Sequence, residues 1–283
     1  MPTARTQRRR PEWISNLFWY FMLGAASLIT VLPFFWLVTT ALKGPNDAVF
    51  SLPPQYFPHE PTLNNFVKVW DQIAVWRFFL NSLFVAFVLV IVNVGISALA
   101  AYPLAKMRFA GREVIFYMLL ATLIVPVELT YIPSYLLAVQ TFKYYDTLWA
   151  LIFPNVFSAF NIFLLRQAYK SIPDDLIDAA RIDGANEFRI WWGVLLPTVR
   201  PSLATAAVFT AVGSWNALLW PSLMLRDRDL YTLPVGLNTL RGMFIADFRL
   251  IAAGAILAIL PMLISFLFAQ RYFVDGLSGA VKG

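Results

Sequence analysis

Long apolar runs separated by polar segments form the main pattern along the chain. Stretches of roughly 18 or more mostly apolar residues are long enough to cross a bilayer as a helix. Six such stretches occur, at residues 17–42, 78–104, 114–138, 148–165, 202–225 and 250–273. The pattern therefore predicts an all-α integral membrane protein with six transmembrane helices, in one membrane domain that spans residues 17–273.

The third predicted span is the least regular. Pro126 and Pro133 each remove a backbone donor, and Glu128 lies between them. We expect a bent or broken helix here. Because a carboxylate is costly to bury in lipid, Glu128 should lie near the outer surface, have a partner or serve a function.

Composition agrees with a membrane location. The chain is 59% hydrophobic and 13% charged, with a mean hydropathy of +0.66, which leaves too little polar surface for a soluble body of this size. The absence of cysteine excludes disulfides and thiolate chemistry. The sole histidine, His59, lies in a proline-rich segment without other candidate ligands, so no metal site is predicted.

Basic residues predict the orientation. With a cytoplasmic N-terminus, 14 of the 22 Lys and Arg residues fall in internal segments and the other 8 in external ones. Residues 1–16 and the tail 274–283 are then cytoplasmic. The net charge of +6 is scattered among loops and does not form one face, so the sequence does not indicate a nucleic-acid partner.

One polar segment, residues 166–201, is far longer than a turn between two antiparallel helices requires. Pro173 suits a first helical turn, Asp174 and Asp175 complement the helix dipole, and Gly184 supplies a left-handed stop. These signals predict a helix over 174–183. A second helix should begin near Asn186 and run to a break at 195–197, giving a cytoplasmic helix–turn–helix.

The first of these helices permits two interpretations. Leu176, Ala179, Ala180 and Asp183 share one narrow face, where small side chains would let another protein approach closely. The alternative is an amphipathic helix lying on lipid. The acidic edge of the face argues against lipid, because the cytoplasmic leaflet is itself negative.

The run Asp178-Ala179-Ala180-Arg181-Ile182-Asp183-Gly184-Ala185, followed by Phe188 and Leu196-Pro197, resembles the EAA loop of ATP-binding-cassette (ABC) importer permeases. The Ile182–Ala185 core and the ending Gly279-Ala280-Val281-Lys282-Gly283 are similar to the carbohydrate-uptake branch, specifically its second permease, as in maltose importers. The resemblance covers nearly the whole chain. It departs at Asp178, where the family pattern has a longer glutamate.

The resemblance implies that the segment 166–201 is a coupling loop that docks on a cytoplasmic ATPase. The implied contact residues are Asp178, Ala179, Ala180, Asp183, Gly184, Ala185, Phe188 and Pro197. The chain lacks a Gly-x-x-x-x-Gly-Lys-Ser/Thr loop, so ATP and Mg are expected on a partner ATPase and no cofactor on this chain. The implied assembly, in a bacterial inner membrane, comprises a different homologous permease, two ATPase subunits and an extracytoplasmic solute-binding protein.

Polar and aromatic residues within the spans are candidates for a solute path. They are Glu128, Asn155, Asn161, Ser214, Trp215 and Asn216. The asparagines could instead form hydrogen bonds between helices, and the tryptophans could belong to an interfacial belt.

The function expected from these features is import of a sugar or sugar-like solute by alternating access, with no catalysis by this chain. A secondary, ion-coupled carrier remains an alternative, although it would favour several intramembrane carboxylates or histidines. A permease for a non-sugar solute is another. An integral-membrane enzyme is disfavoured, since no nucleophile elbow, metal cluster or carboxylate pair at membrane depth is found.

Overall fold

The computed structural model describes residues 12–241 and 247–280. That part of the chain is helical and contains no strand, which confirms the all-α prediction. Its α-helices are α1 (Glu12–Ala41), α2 (Asn64–Gln72), α3 (Val75–Lys106), α4 (Arg112–Thr122), α5 (Tyr131–Leu136), α6 (Trp149–Ile152), α7 (Ala159–Lys170), α8 (Asp174–Ile182), α9 (Glu187–Ile190), α10 (Leu196–Thr198), α11 (Arg200–Asn216), α12 (Leu219–Met224), α13 (Leu233–Asn238) and α14 (Phe248–Ala280).

Short tighter or wider turns extend several of these helices. The 3₁₀ turns are Val127–Thr130, Phe153–Asn155, Arg228–Leu230 and Thr239–Arg241, and the π turns are Leu137–Thr141 and Trp191–Leu195.

The first of two compact units comprises residues 1–71 and 240–257. Between α1 and α2, a proline-rich loop is organised around the buried Asp47 carboxylate. Burial disfavours the charged form of Asp47, but hydrogen bonds from the Gln55 side chain and from the backbone N–H groups of Gly44 and His59 outweigh it and lower its pKa to about 2. The predicted external loop is therefore ordered, although it is irregular over its first half.

The second unit comprises residues 72–239 and 258–283 and is built around α3. Buried residues recur along α3 at spacings of three and four, which places them on one face against α7 and α11. Members of that face include Ser82, Val85, Leu89, Asn93 and Ser97. The second unit contains both regions to which the sequence assigned function.

Two helical stretches, Asn16–Ala41 and Val75–Lys106, are long and apolar enough to cross a membrane, and they correspond to the first two predicted spans. The third predicted span is Arg112–Thr122 followed by Val127–Thr141, with a bend of 94° between them. The break confirms the irregularity expected around Pro126. The sixth predicted span lies within α14, whose stretch Phe248–Ile264 is apolar but shorter.

The fourth and fifth predicted spans differ from the continuous helices that hydropathy suggested. In the fourth, Trp149–Asn155 and Ala159–Lys170 meet at 47°, because the Ser158 hydroxyl accepts from the Asn161 N–H and caps a new helix. In the fifth, α11 ends at Asn216 and α12 begins at Leu219. Pro221 explains this break, since a continuous helix would place its ring against the carbonyl of Ala217 and lack its hydrogen bond.

Candidate functional site

The turn of the predicted helix–turn–helix is a glycine-dependent helix stop. Gly184 has φ +81°. Its N–H donates to the Arg181 carbonyl at 3.0 Å, and the Ala185 N–H donates to the Ala180 carbonyl at 2.9 Å. This pair of bonds is a Schellman motif, in which a left-handed residue ends the helix and satisfies its last carbonyls. The predicted left-handed stop at Gly184 is confirmed.

The second helix begins where the sequence placed it but continues further. The Asn186 side chain accepts from the Arg189 N–H at 2.8 Å and caps α9. The predicted break at 195–197 is wrong by a few residues, because the helical path runs through Thr198 before an 82° bend into α11. The Leu196 N–H donates to the Trp191 carbonyl and closes a π turn. Pro197, which has no N–H to donate, comes directly after this widened turn.

The inner side of the segment 166–201 is packed into the protein. Ile177, Ile190, Trp191 and Leu195 are buried in one cluster with residues of α3 and α7, including Ala98, Leu165 and Tyr169. The Trp191 indole also donates to the Ala98 carbonyl at 3.3 Å. The segment is therefore anchored to the transmembrane helices by a core of its own.

The outer side of the same segment exposes apolar side chains. Ile182 is 86% exposed, Phe188 is 64% exposed, and Leu176 is also exposed. Among the predicted contact residues, Asp178, Ala179, Asp183 and Gly184 lie on the same exposed side of the turn, whereas Ala180 and Ala185 also pack against the core. Pro197 is also exposed, but it lies in α10, away from the turn. We call the exposed surface of residues 176–188 the docking face.

Polar contacts tie the start of α8 to the end of α3. The Lys106 ammonium, 6% exposed, donates to the Ile172 carbonyl at 2.6 Å and to Asp174 at 2.5 Å. The hydrogen bond to Lys106 and its positive charge lower the pKa of the Asp174 carboxyl, although partial burial opposes the shift.

A second tie runs from α3 through both helices of the loop. The Tyr102 hydroxyl donates to Glu187, whose carboxylate also accepts from Arg181 at 3.2 Å. Arg181 in turn donates to Asp178 at 3.2 Å. Sequence reasoning missed Tyr102, Lys106 and Glu187, since their partners lie far away in the chain and no local motif marks them.

A buried guanidinium joins α3, α4 and α7 beside this loop. Arg166, whose side chain is 2% exposed, donates to the Leu104 carbonyl and to both carboxylate oxygens of Glu113, each at 2.8 Å. The same guanidinium lies 3.6 Å from the centre of the Phe116 ring. The arrangement fixes α3, α4 and α7 to one another where α7 enters the loop.

A cavity of about 540 Å³ lies deeper in the second unit. It is lined by residues of α3, α5, α6, α7, α11 and α12, of the turns that adjoin them, and by Thr232 just before α13. Of the six predicted solute-path residues, Asn155, Asn161 and Ser214 line it. The structure thus brings half of the predicted set together.

The other three predicted path residues lie elsewhere. Glu128 is on the protein surface, outside the cavity lining. Trp215 is buried, donates to the Ala258 carbonyl at 3.2 Å and packs edge-on against Phe79, so it fills space between helices. Asn216 ends α11 and is exposed.

A network of amides crosses one wall of the cavity. The Asn161 amide N–H group donates to the Asn93 side-chain oxygen at 2.7 Å and to the Thr210 hydroxyl at 2.9 Å, linking α7 to α3 and α11. Asn93 donates to the Asn155 backbone carbonyl at 2.7 Å. These are the interhelical hydrogen bonds that the sequence offered as an alternative role for asparagine, and they coexist with a position on the cavity wall.

Aromatic rings form another part of the lining. Tyr131 and Trp220 lie with ring centres 5.7 Å apart, and Trp220 donates to the Ala150 carbonyl at 3.0 Å. Within residues 12–241 and 247–280, three or more His, Cys, Asp or Glu side chains nowhere come together as metal ligands would. The cavity is therefore suited to hydrogen bonding and ring stacking.

Comparison with known proteins adds independent evidence. The sequence pattern of the family described as "binding-protein-dependent transport system inner membrane component" matches residues 93–279. The chain is 34% identical over 272 residues to the arabinooligosaccharides transport system permease protein AraQ of Halalkalibacterium halodurans, covering 94% of this chain and 97% of that one. It is 31% identical over 282 residues to the lactose transport system permease protein LacG of Rhizobium radiobacter, with 100% of both covered.

The fold has a close counterpart among solved structures. A chain in the crystal structure of a bacterial ABC transporter involved in the import of the acidic polysaccharide alginate superimposes with a TM-score of 0.80, covering 96% of this chain and 100% of that one. Sequence identity is 22%, so this likeness establishes the fold alone. A second match, with a TM-score of 0.65 and 15% identity, is to the alginate ABC transporter in complex with an alginate pentasaccharide-bound periplasmic protein.

Proposed function

The chain belongs to the family of binding-protein-dependent transport system inner membrane components, and from that membership we propose that it is one of two different permease subunits of an ATP-driven sugar importer. The relatives AraQ and LacG, named for sugar transport, support a sugar or sugar-like solute. The docking face is the observation on the molecule itself that favours coupling to an ATPase.

The docking face has the chemistry of a protein interface. Its exposed Leu176, Ile182 and Phe188 would be unfavourable in water, while the neighbouring Asp178 and Asp183 would be unfavourable on an anionic lipid surface. An apolar patch with an acidic edge suits a protein partner that has an apolar cleft and basic residues at its rim. A cytoplasmic ATPase subunit is the partner that the EAA-like sequence implies.

Because the inner side is packed against the helices, movement of the docking face would be transmitted to them. When two ATPase subunits close around ATP and Mg, the loop should move with them, and its core and polar ties should carry α3 and α7 along. That movement would tilt the permease pair between inward-facing and outward-facing states. A solute-binding protein outside the membrane would deliver the sugar, as the family description implies.

Co-purification tests this proposal. The tagged chain is expressed with its neighbouring gene products, solubilised in mild detergent, and its partners are identified for the wild type and for Gly184→Pro. Proline cannot adopt φ +81°, so the turn should be disrupted. Gly193→Ala is the matched control, because a Cβ at Gly193 would meet no atom within 4 Å and no positive φ is required there.

We expect the wild type and Gly193→Ala to recover one ATPase and one distinct permease, and Gly184→Pro to lose the ATPase while it retains the permease. Recovery of a lone chain that moves solute in vesicles on an imposed ion gradient, without ATP, would instead establish a secondary carrier.

A further inference from the structure

The cavity in the second unit carries no charge on its described lining. Its polar groups are amides and hydroxyls, and its remaining lining is apolar or aromatic. No Asp, Glu, Lys or Arg from residues 12–241 or 247–280 contributes to the wall. A carboxylate or phosphate entering this space would lose hydration without gaining a cation from this lining, which is unfavourable.

The hydrogen-bonding groups left over in the cavity also favour an uncharged ligand. Both N–H groups of the Asn161 amide are used, by Asn93 and Thr210, and one of the two N–H groups of Asn155 is used by the Leu151 carbonyl, so a single amide N–H of Asn155 stays available. Within the described part of the chain, nothing donates to the side-chain oxygen of either residue. Free acceptors require donors, which a sugar hydroxyl supplies and a carboxylate does not.

Thr232 provides an independent indication of a ligand. Thr232 is one of the lining residues and is 4% exposed, and its buried hydroxyl oxygen has no hydrogen-bond partner among the described residues, as is also true of Thr40 and Tyr169 away from the cavity. The backbone on both sides is fixed to α3, because Asn81 donates to the Tyr231 carbonyl at 3.0 Å and Leu233 donates to the Ser82 hydroxyl at 2.8 Å. A buried hydroxyl held in place without a partner is unfavourable unless something else binds it.

The size and the aromatic surface of the cavity also suit a small sugar. A volume of about 540 Å³ falls within the range of about 300 to 1,000 Å³ typical of small-molecule sites. Tyr131 and the 7% exposed Trp220 add aromatic surface to the lining, which is suited to contact with the C–H side of a sugar ring, and the indole bond to Ala150 holds Trp220 in position.

We propose that this cavity is a subsite for an uncharged sugar, supplied by this chain itself, and that it excludes solutes carrying a carboxylate or phosphate. The inference rests on the proposed transport function and narrows its substrate class. The narrowing matters because the relatives differ in solute charge: LacG is named for lactose, whereas UgpE of Escherichia coli O157:H7, 32% identical over 244 residues, is named for sn-glycerol-3-phosphate.

Thermal unfolding of the purified complex, without the solute-binding protein, tests the subsite directly. The complex is titrated separately with each sugar and with the uronate that differs from it by a carboxylate. The pairs are galactose and galacturonate, and glucose and glucuronate. Arabinose and lactose serve as further uncharged probes. At least one uncharged sugar should raise the unfolding midpoint in a saturable manner. The two uronates should have no effect beyond that of ionic strength.

Thr232→Val separates binding from a structural role. Removing an unpartnered hydroxyl should leave the unfolding midpoint of the sugar-free complex unchanged or higher. The same variant should bind the uncharged sugar roughly three- to tenfold more weakly, as expected for one lost hydrogen bond.

A second pair of variants provides a matched control. Thr210 and Thr205 both lie on α11 and both donate to the carbonyl four residues earlier, but only Thr210 lines the cavity. Thr210→Val should weaken sugar binding, and Thr205→Val should not.

The proposal is overturned if a uronate stabilises the complex as well as its uncharged counterpart, if no uncharged sugar stabilises it, or if Thr232→Val binds sugar as the wild type does. A complex that assembles with its ATPase yet prefers uronates would retain the transport function and exclude only the uncharged subsite.

Discussion

Arg166 illustrates how a charged residue is accommodated at the edge of the apolar core. The Leu104 carbonyl and the Glu113 carboxylate bind the edge of its guanidinium, and the Phe116 ring covers one face. A buried charge is tolerated under such conditions, because bidentate and stacked contacts replace its hydration.

Replacing Arg166 by methionine should be strongly destabilising. The substitution keeps side-chain length but leaves the Leu104 carbonyl without its donor and the Glu113 carboxylate with Arg112 alone, and we expect the free energy of unfolding to fall by about 2 kcal/mol. Chemical denaturation in detergent measures the loss. Arg200→Met is the control, because Arg200 is exposed and should change stability by less than about 0.5 kcal/mol. Equal effects of the two substitutions would contradict a structural role for the buried cluster.

At the scale of elements, the loop of residues 166–201 combines a packed inner side with an exposed docking face. The hydrogen bond from Tyr102 to Glu187 connects α3 directly to α9, and Arg181 extends the connection to α8. These contacts would keep the two loop helices in a fixed relation to the transmembrane helix that carries part of the cavity wall. Movement of the loop and movement of the cavity are therefore expected to be linked.

Tyr102→Phe tests that link. The variant removes one hydroxyl and leaves the ring in the core, so assembly with the ATPase should persist. We expect ATP hydrolysis to continue while solute uptake per ATP falls several-fold, because the loop can move without carrying α3. Uptake and hydrolysis are measured together in proteoliposomes, with Tyr117→Phe on the exposed side of α4 as control. An unchanged ratio in Tyr102→Phe would mean that the packed core alone transmits the motion.

The Lys106–Asp174 pair has a defined dependence on pH and salt. Lys106 lowers the pKa of Asp174, so the stabilising contribution of this carboxylate is present above its ordinary value of 3.8 and is lost as the pH falls through the lowered value. Between pH 7 and pH 5 the contribution should be constant. Because the Asp174 side chain is mostly exposed, salt should weaken it.

Hydrogen-exchange protection of α8 measures this pair. Asp174→Asn should lower the protection of its amides equally at pH 7 and pH 5, and by less at high ionic strength than at low. Asp175→Asn is the matched control, since Asp175 lies in the same first turn without a lysine partner and loses only the interaction with the helix dipole. A loss in Asp174→Asn that grows between pH 7 and pH 5 would contradict the sign of the pKa shift.

Local signals made the loop predictable from the sequence. Pro173, the two aspartates and Gly184 act on their immediate neighbours, so the bounds of α8 and its left-handed stop followed from the residues themselves. The break near Pro126 followed for the same reason.

Other features depend on contacts that no sequence window contains. The bend at Ser158 and the break before α12 lie within continuous apolar runs, and hydropathy does not distinguish a capped or interrupted helix from a straight one. The pairing of Tyr102 with Glu187 and the position of Thr232 on the cavity wall arise only when distant segments fold together. Trp215 and Asn216 do not line the cavity, and composition alone does not show which side of a helix faces one.

At the scale of the whole molecule, many apolar side chains are exposed and must be shielded from water. Along α1 the side chains of residues 16–35 are exposed or half-exposed, and Leu28 and Ile29 are 73% and 74% exposed. Water is an unsuitable environment for such a surface. Lipid and the second permease are the coverings expected for a membrane subunit of this family, and the basic residues predict which end of each span faces the cytoplasm.

The predicted orientation can be tested because the chain contains no cysteine of its own. Leu52, in the predicted external loop, is 97% exposed, and Ser171, in the predicted cytoplasmic loop, is also exposed. A membrane-impermeant maleimide applied to intact cells, after the outer membrane is permeabilised, should label Leu52→Cys and leave Ser171→Cys unlabelled. Disruption of the inner membrane should then make Ser171→Cys reactive, and the cysteine-free parent sets the background. Labelling of Ser171→Cys in intact cells would place the docking face outside, where no ATPase could reach it, and would reject the importer mechanism together with the orientation.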